Sequence, residues 1–464
     1  MSGRSPAKDD ESIARALLRR VWDDLAGPPE GDDHVRFYGW VPGLLPATTP
    51  CLAAMAAAVA AALTAIADVD AARGGHPPPE VTVDVRHVSA AARSERYGHV
   101  VGDAAPVSFA PLSRFWRTAD GRVRTHANYP WHRERLLGLL GCGGDPRDIQ
   151  RALDSWSAFD LEQAAADAGA LAYAVRSNEA WLAHPQGRAV AALPLLTAAP
   201  TAPAGRPPGR GEALEGLRVL DLTRVIAGPV ATRTLAAWGA DVLRLDSPRL
   251  PEVEEQTVDT LVGKRSARVD AATPQGRDTV EALLAAADIV ISGYRPGALD
   301  KHGLAAVDLA NRHPHLTVVT LSAWGRTGPW AGRRGFDSLV QAATGLAVMQ
   351  AGPDGTPGVL PAQVLDHATG YLAAAAAAAS VADVARGGSP RHCEVSLAQT
   401  STWLKSRGPT EPQEPAVVDY DAFAVELRRP GAPVAVVSPP GTIGTTRGSW
   451  PSATRFGADA PRFG

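Results

Sequence analysis

The sequence predicts an α/β fold built on a parallel sheet, and three observations carry that expectation. From residue 217 onward, runs of buried-strand type alternate with segments of helical spacing, the pattern of βαβ units. The apolar fraction is 45% and the charged fraction 20%, both ordinary for a chain with a sizeable core. A Pro/Gly-rich stretch without hydrophobic period, Thr197 to Ala213, divides the 464 residues in two. That length allows about two to four domains at roughly 100–200 residues each.

The elements follow in order. Leu217 to Leu222 reads as a buried strand. Ala227-Gly228-Pro229 turns into a helix over Val230–Trp238, and Gly239 to Leu245 returns as a strand. A helix ends at Leu283–Ala287, and Asp288–Ser292 and Leu316–Ser322 are further strands. A glycine-rich stretch, Ala323 to Gly358, precedes an alanine-rich helix from about Asp366 to Val384. Arg386-Gly387-Gly388 stops that helix, and Cys393–Leu397 is one more strand. The Pro/Gly-rich tail after Lys405 offers one strand, Val434–Val437.

The longest apolar run is Cys51 to Ala67. It sits at the short edge of spanning length and is mostly alanine, so it reads as a buried helix rather than a membrane segment. It ends in Arg73-Gly74-Gly75 and leads to Glu80–Val83, much as Arg386-Gly387-Gly388 leads to Glu394–Leu397. That is a weak internal repeat, although two alanine helices stopped by glycine can look alike without duplication.

The charge balance is −3, which excludes a simple electrostatic binder of nucleic acid. Three scattered cysteines exclude a disulfide framework and a thiolate zinc cage, and they fit the reducing cytoplasm. Met1 to Arg20 is charged throughout and is not of signal-peptide type. There is no GxGxxG after the first strand, no P-loop, no GxSxG and no HExxH. His126 and His132 flank Pro130 at poor metal spacing and read as surface or packing residues, so no metal is expected. One carboxylate is placed for chemistry: Asp366, at the start of the alanine helix after the glycine-rich stretch. A helix N-terminus favours its ionised form, and an ionised carboxylate can act as a nucleophile. The same position suits an aspartate that does no more than cap.

Residues 214 to 404 resemble the family III CoA-transferases. The resemblance rests on Leu217–Pro229 (LRVLDLTRVIAGP), Gly239–Asp246 (GADVLRLD) and Lys264-Arg265-Ser266. It continues in Tyr294–Asp300 with Gly303-Leu304, in Ser322–Pro329 (SAWGRTGP), in Asp337 with Gln341–Gly345, and in Asp366. It implies a Rossmann-like parallel sheet domain plus a smaller α+β domain. It also implies an enzyme that moves CoA from an acyl-CoA to a carboxylic acid through an aspartyl-CoA thioester, with Asp366 as nucleophile. Coenzyme A would be a substrate. Arg224, Val225, Ile226 and Ala227 are implied to contact the nucleotide, and Arg244, Lys264, Arg265 and Arg295 are candidate phosphate partners. Glycines 325, 328, 335, 352 and 355 are available for an oxyanion site or for plain turns.

The sequence departs from the family pattern at Ser292-Gly293-Tyr294, where Glu-Asn is usual, and at Gly263, where Asn is usual. The related racemases need a histidine in a Gly-His-Asp motif. Here the motif is Gly335-Phe336-Asp337, and phenylalanine exchanges no proton.

Residues 48 to 196 are similar to the later half of the same family, through Thr118–Val123 (TADGRV), Ala172–Arg176, Glu179-Ala180-Trp181 and His184-Pro185. Between His34 and Ala67 there is no Asp or Glu, so this copy has no nucleophile. The expected organisation is a later-half module over 1–196, a linker over 197–213, a CoA-binding and catalytic domain over 214–404 and a tail over 405–464. The family's subunits form interlocked homodimers, and one chain here would supply pieces normally shared between two. The alternatives left open are a racemase or isomerase of the same fold, or a non-catalytic CoA-binding subunit. No nucleic-acid or membrane partner is expected.

Overall fold

The computed structural model describes residues 6–25, 27, 34–104, 109–201, 205–209 and 211–464. In the first half these include α1 (Pro6–Leu25), β1 (Val35–Tyr38), α2 (Cys51–Gly74), β2 (Val81–Asp84) and the short helix α3 (Ser94–Tyr97). A small antiparallel sheet follows from β3 (Phe115–Arg117), β4 (Arg122–Thr125) and β5 (Ala172–Ala174), and then β6 (Leu196–Pro200). The second half supplies β7 (Arg218–Leu222), α4 (Ala227–Ala237), β8 (Asp241–Asp246), β9 (Lys264–Arg268), β10 (Ile289–Ser292) and β11 (Thr317–Ser322). It continues with α5 (Asp337–Ala343), α6 (Val364–Ala385), β12 (Arg391–Ser396), β13 (Ala424–Leu427), β14 (Val434–Val437) and β15 (Thr442–Ile443).

The fold is α/β. Seven strands form one sheet in the order β9-β8-β7-β10-β11-β12-β6, parallel except for β6. The six parallel strands therefore run 3-2-1-4-5-6, the doubly wound order of dinucleotide-binding folds, with the order reversing between β7 and β10. Val219 lies opposite both Val242 and Ile289 in this register. Ile289–Ser292 is buried throughout, as expected for a parallel strand covered on both faces.

Two corrections concern the linker and the tail. Leu196–Pro200 is the antiparallel edge strand on β12, with Thr197 opposite Glu394 and Ala198 opposite Cys393. The stretch read as a linker thus begins inside the sheet, and its residues 202–204 and 210 lie outside the described ones. The tail carries β13, β14, β15 and the two-residue strand Thr446–Arg447, where only Val434–Val437 was expected. Alternation is weak in strands this short, so the sequence shows little of them.

The internal repeat has a structural counterpart. In both halves two parallel strands flank a long alanine helix: β1-α2-β2 and β11-α6-β12. The halves also close each other. First-half β6 adds an antiparallel edge strand to β12, and β15 of the tail pairs antiparallel with β2. Both helices are long and apolar enough to cross a membrane by composition, yet they run through the interior and pack on one another. Alanine faces permit that close approach.

Gly370 brings α6 onto α4. A Cβ there would stand 2.5 Å from the Ala227 carbonyl oxygen and 2.7 Å from the Val230 Cβ. Gly370→Ala is accordingly expected to destabilise by about 1–3 kcal/mol through overpacking. A lower urea midpoint at unchanged slope would register it.

Candidate active site

A cavity of about 540 Å³ opens at the carboxyl ends of β7 and β10, where the strand order reverses. Open parallel sheets bind ligands at such a switch point. The turn after β7 contributes Arg224 and Val225 to its wall, and the turn after β10 contributes Tyr294 and Arg295. Asp366 of α6 lies in the same wall, beside Gly335 and Phe336. The first half closes the cavity with Tyr129, Trp131 and His132. Tyr129 donates its hydroxyl to Glu252 at 2.5 Å, and the Arg224 guanidinium lies over its ring at 5.4 Å.

Asp366 is not a helix cap. The N-cap of α6 is Gln363, and Asp366 is the third helical residue, within the first turn. The capping is done from α5: the backbone N–H of Asp366 donates to Asp337 Oδ2 at 2.9 Å. Asp337 also accepts from the Gln341 amide, and Gln341 in turn accepts from the backbone of Leu360. Thus α5 holds the first turn of α6 through a fully buried carboxylate.

Burial pushes the Asp337 carboxyl up to about 6, against the hydrogen bonds from Asp366 and Gln341 that favour its ionised form. Burial raises Asp366 well above the usual carboxylate range, and the negative charges of Asp337 and Glu95 raise it further. The helix end opposes this with about 0.3–1 kcal/mol, less than one pKa unit, whereas burial can move a carboxyl by several. Burial therefore wins. A carboxylate that ionises reluctantly is a stronger nucleophile once ionised.

The other expected site residues divide. Arg224, Val225, Ala227 and Arg295 stand in the cavity wall together with Asp366. Val225 has φ 70°, in the left-handed region that a β-branched residue rarely enters, so the turn is held there by its surroundings. Ile226 is not in the wall and packs against the core. The structure does not bring Arg244, Lys264 or Arg265 to the wall either. Arg244 is fully buried and bonds Asp246 and Glu252, each at 2.8 Å. Lys264 is buried against Asp221 at 3.0 Å and the Thr232 hydroxyl at 2.5 Å. Arg265 pairs with Asp241. Each of these cations is already satisfied by a carboxylate.

Sequence reasoning missed Lys301 and Arg334, which line the cavity and have no carboxylate partner among the described residues. Among the described residues Arg295 donates only to the Gly332 carbonyl, at 3.4 Å. Burial and the facing Arg295 guanidinium hold Arg334 below the usual arginine pKa. The cavity therefore carries uncompensated positive charge, the property that binds phosphate or carboxylate. Of the five candidate glycines only Gly335 reaches the wall, while Gly352 and Gly355 belong to an exposed turn.

Residues 214–416 match the family model described as CoA-transferase family III. This stretch of the chain is similar to CoA-transferase family III. Among curated relatives, a probable fatty acyl-CoA transferase of Mycobacterium tuberculosis is 32% identical over 207 residues, 42% of this chain and 52% of that protein. A succinate–glutarate CoA-transferase of Agrobacterium fabrum is 33% identical over 208 residues, 41% of this chain and 52% of that one. A crystal structure of the mycobacterial protein aligns at TM-score 0.40 and 32% identity, covering 44% of this chain and 57% of that one. The chain spans about half the length of the curated relatives it matches.

Within that stretch, the departure at Gly263 and the phenylalanine at 336 have local causes. Gly263 has φ 69°, and a Cβ there would meet the Trp450 ring at 2.2 Å, so the tail excludes a side chain at this position. Phe336, which stands where a racemase has histidine, stacks on His126 of the first half with ring centroids 3.8 Å apart and planes 6° apart. Of the two roles expected for His126 and His132, packing is the one seen: both are buried. Burial pulls them down to about 3 and about 4, so both imidazoles are neutral at pH 7.

Proposed function

We propose that this chain transfers CoA from an acyl-CoA donor to a carboxylate acceptor, with Asp366 as the covalent nucleophile. The reading is carried by one juxtaposition: a buried carboxylate in the wall of a cavity that also presents Arg295, Lys301 and Arg334 without carboxylate partners. Those cations suit the phosphates of CoA. Oxyanions at the reacting carbonyls would face the N–H groups beside Gly335.

The steps balance without ATP. The Asp366 carboxylate attacks the thioester carbonyl and expels CoA thiolate, which forms a mixed anhydride. The thiolate attacks the aspartyl carbonyl, releasing the first acid and leaving an aspartyl-CoA thioester. The acceptor carboxylate attacks that thioester and forms a second anhydride with CoA thiolate as leaving group. The thiolate then takes the acceptor's acyl group and regenerates the carboxylate. Splitting one transfer into such steps lowers each barrier. The relatives act on fatty acyl, succinyl or glutaryl groups by name, which defines the panel of donors and acceptors to try.

Chromatography of CoA esters after mixing each acyl-CoA with each free acid tests the reading. Appearance of the acceptor's CoA ester, absent in Asp366→Ala, is expected. In D2O, unchanged acyl-CoA that gains deuterium at the α-carbon would instead indicate isomerase chemistry, with His132 and His302 in the wall as the available imidazoles.

A further inference from the structure

Behind the nucleophile, the two halves of the chain meet through buried polar contacts. His367, the neighbour of Asp366, is fully buried, and its Nε2 lies 2.8 Å from Glu95 Oε2. Glu95 belongs to α3 of the first half, 272 positions away, and its side chain is 10% exposed. Its other oxygen lies 3.6 Å from Arg96 Nε. The helix that carries Glu95 is itself pinned. Ser94 Oγ donates to Asp259 Oδ2 at 3.0 Å and accepts from Arg233 Nη2 at 2.8 Å. Glu95 therefore cannot drift from His367 without breaking a second buried contact.

The first half has no nucleophile of its own. The offset that superposes Arg73-Gly74-Gly75 on Arg386-Gly387-Gly388 places Ala53 opposite Asp366. Yet this half still delivers a carboxylate to the back of the second half's site. We propose that Glu95 is a positioning residue for Asp366: through His367 it fixes the first turn of α6 and holds a second negative charge behind the nucleophile. This rests on the reading of Asp366 as nucleophile.

The groups facing Asp366 are few. Asp337 comes from α5, Glu95 with Arg96 from α3, Arg93 from just before α3, where it donates to the Pro361 carbonyl, and His367 from α6 itself, bound to Glu95. Arg233 of α4 is taken by Asp259. The nearby start of α2 offers only the Cys51 thiol, which burial pushes up to about 12 and keeps neutral. Replacing the charge of Glu95 thus leaves Asp337 as the one carboxylate opposing ionisation of Asp366.

The test uses the full chain with Glu95→Gln and Glu95→Asp, and two readouts. The first is labelling of Asp366 by dicyclohexylcarbodiimide, which attacks protonated buried carboxyls, mapped by peptide mass spectrometry across pH. The second is the rate of Asp366 acylation by an acyl-CoA. In Glu95→Gln, labelling of Asp366 should fade at lower pH than in the wild type, and acylation should slow about tenfold with KM for the acyl-CoA within about twofold. In Glu95→Asp, which keeps the charge but shortens the arm, labelling should fade near the wild-type pH while acylation still slows. Identical labelling profiles in wild type and Glu95→Gln would overturn the proposal. So would wild-type acylation in Glu95→Asp, which decides the matter should Glu95→Gln not fold. A shifted labelling profile without any acyl adduct in the wild type would leave Glu95 in place and refute the transfer reading.

Discussion

Asp366→Asn is expected to lower CoA transfer by at least about a thousandfold, because the other carboxylates of the cavity wall, Asp246 and Asp270, are held by Arg244 and Arg249. The same variant should melt higher than the wild type at pH 8. Burial, Asp337 and Glu95 hold the Asp366 carboxyl well above its usual range, so its ionised form is disfavoured in the folded chain. A carboxyl raised in this way stabilises the fold fully only below its unfolded pKa of about 3.9, and that contribution is lost as pH rises through the folded value. Asparagine removes the cost without removing the volume. The gain in melting temperature should therefore be greatest at high pH and shrink as pH falls. Loss of activity with a gain in stability separates a functional carboxylate from a structural one.

Lys264→Met is expected to cost about 3–5 kcal/mol, the range for removing one partner of a buried pair. Asp221 accepts from Lys264 Nζ at 3.0 Å, from Thr232 Oγ1 at 2.6 Å and from the Thr223 backbone N–H at 3.0 Å, and all of these groups are buried. The network ties β9 and α4 to the central strand β7, and so holds the turn that bears Arg224 and Val225. Burial outweighs the attraction of Asp221 and pulls the Lys264 ammonium down to about 8, which marks the site as a costly place for charge. The double variant Asp221→Leu/Lys264→Met should therefore recover most of the loss. A double-mutant cycle by urea denaturation reads the coupling directly. Two equal and additive losses would mean that the pair is not a unit.

The central sheet was legible because parallel strands covered on both faces read as continuous apolar runs. Arg218–Leu222, Asp241–Asp246, Ile289–Ser292 and Thr317–Ser322 all fall within a residue or two of the expected segments. Lys264–Arg268 was read as a motif and not as a strand, since KRSAR has no apolar alternation and its cations are satisfied by partners the sequence cannot show. The same blindness put Arg244 and Lys264 among the phosphate partners. Motif position gives the element that carries a residue but not whether a carboxylate 43 positions earlier, in the case of Lys264, already holds it. Asp366 was found through its place at a helix start after a glycine-rich stretch. Its cap by Asp337, its neighbour's bond to Glu95 and the wall made by Tyr129 and His132 depend on tertiary contacts between distant segments.

The central claim is that Asp366 becomes covalently acylated. Intact-protein mass spectrometry after mixing with a panel of acyl-CoAs, with borohydride or hydroxylamine trapping and peptide mapping, tests it most directly. A modification confined to the Asp366 peptide and absent in Asp366→Asn is the expected result. Measurable CoA binding with no adduct from any acyl-CoA, or an adduct that persists in Asp366→Asn, would contradict it.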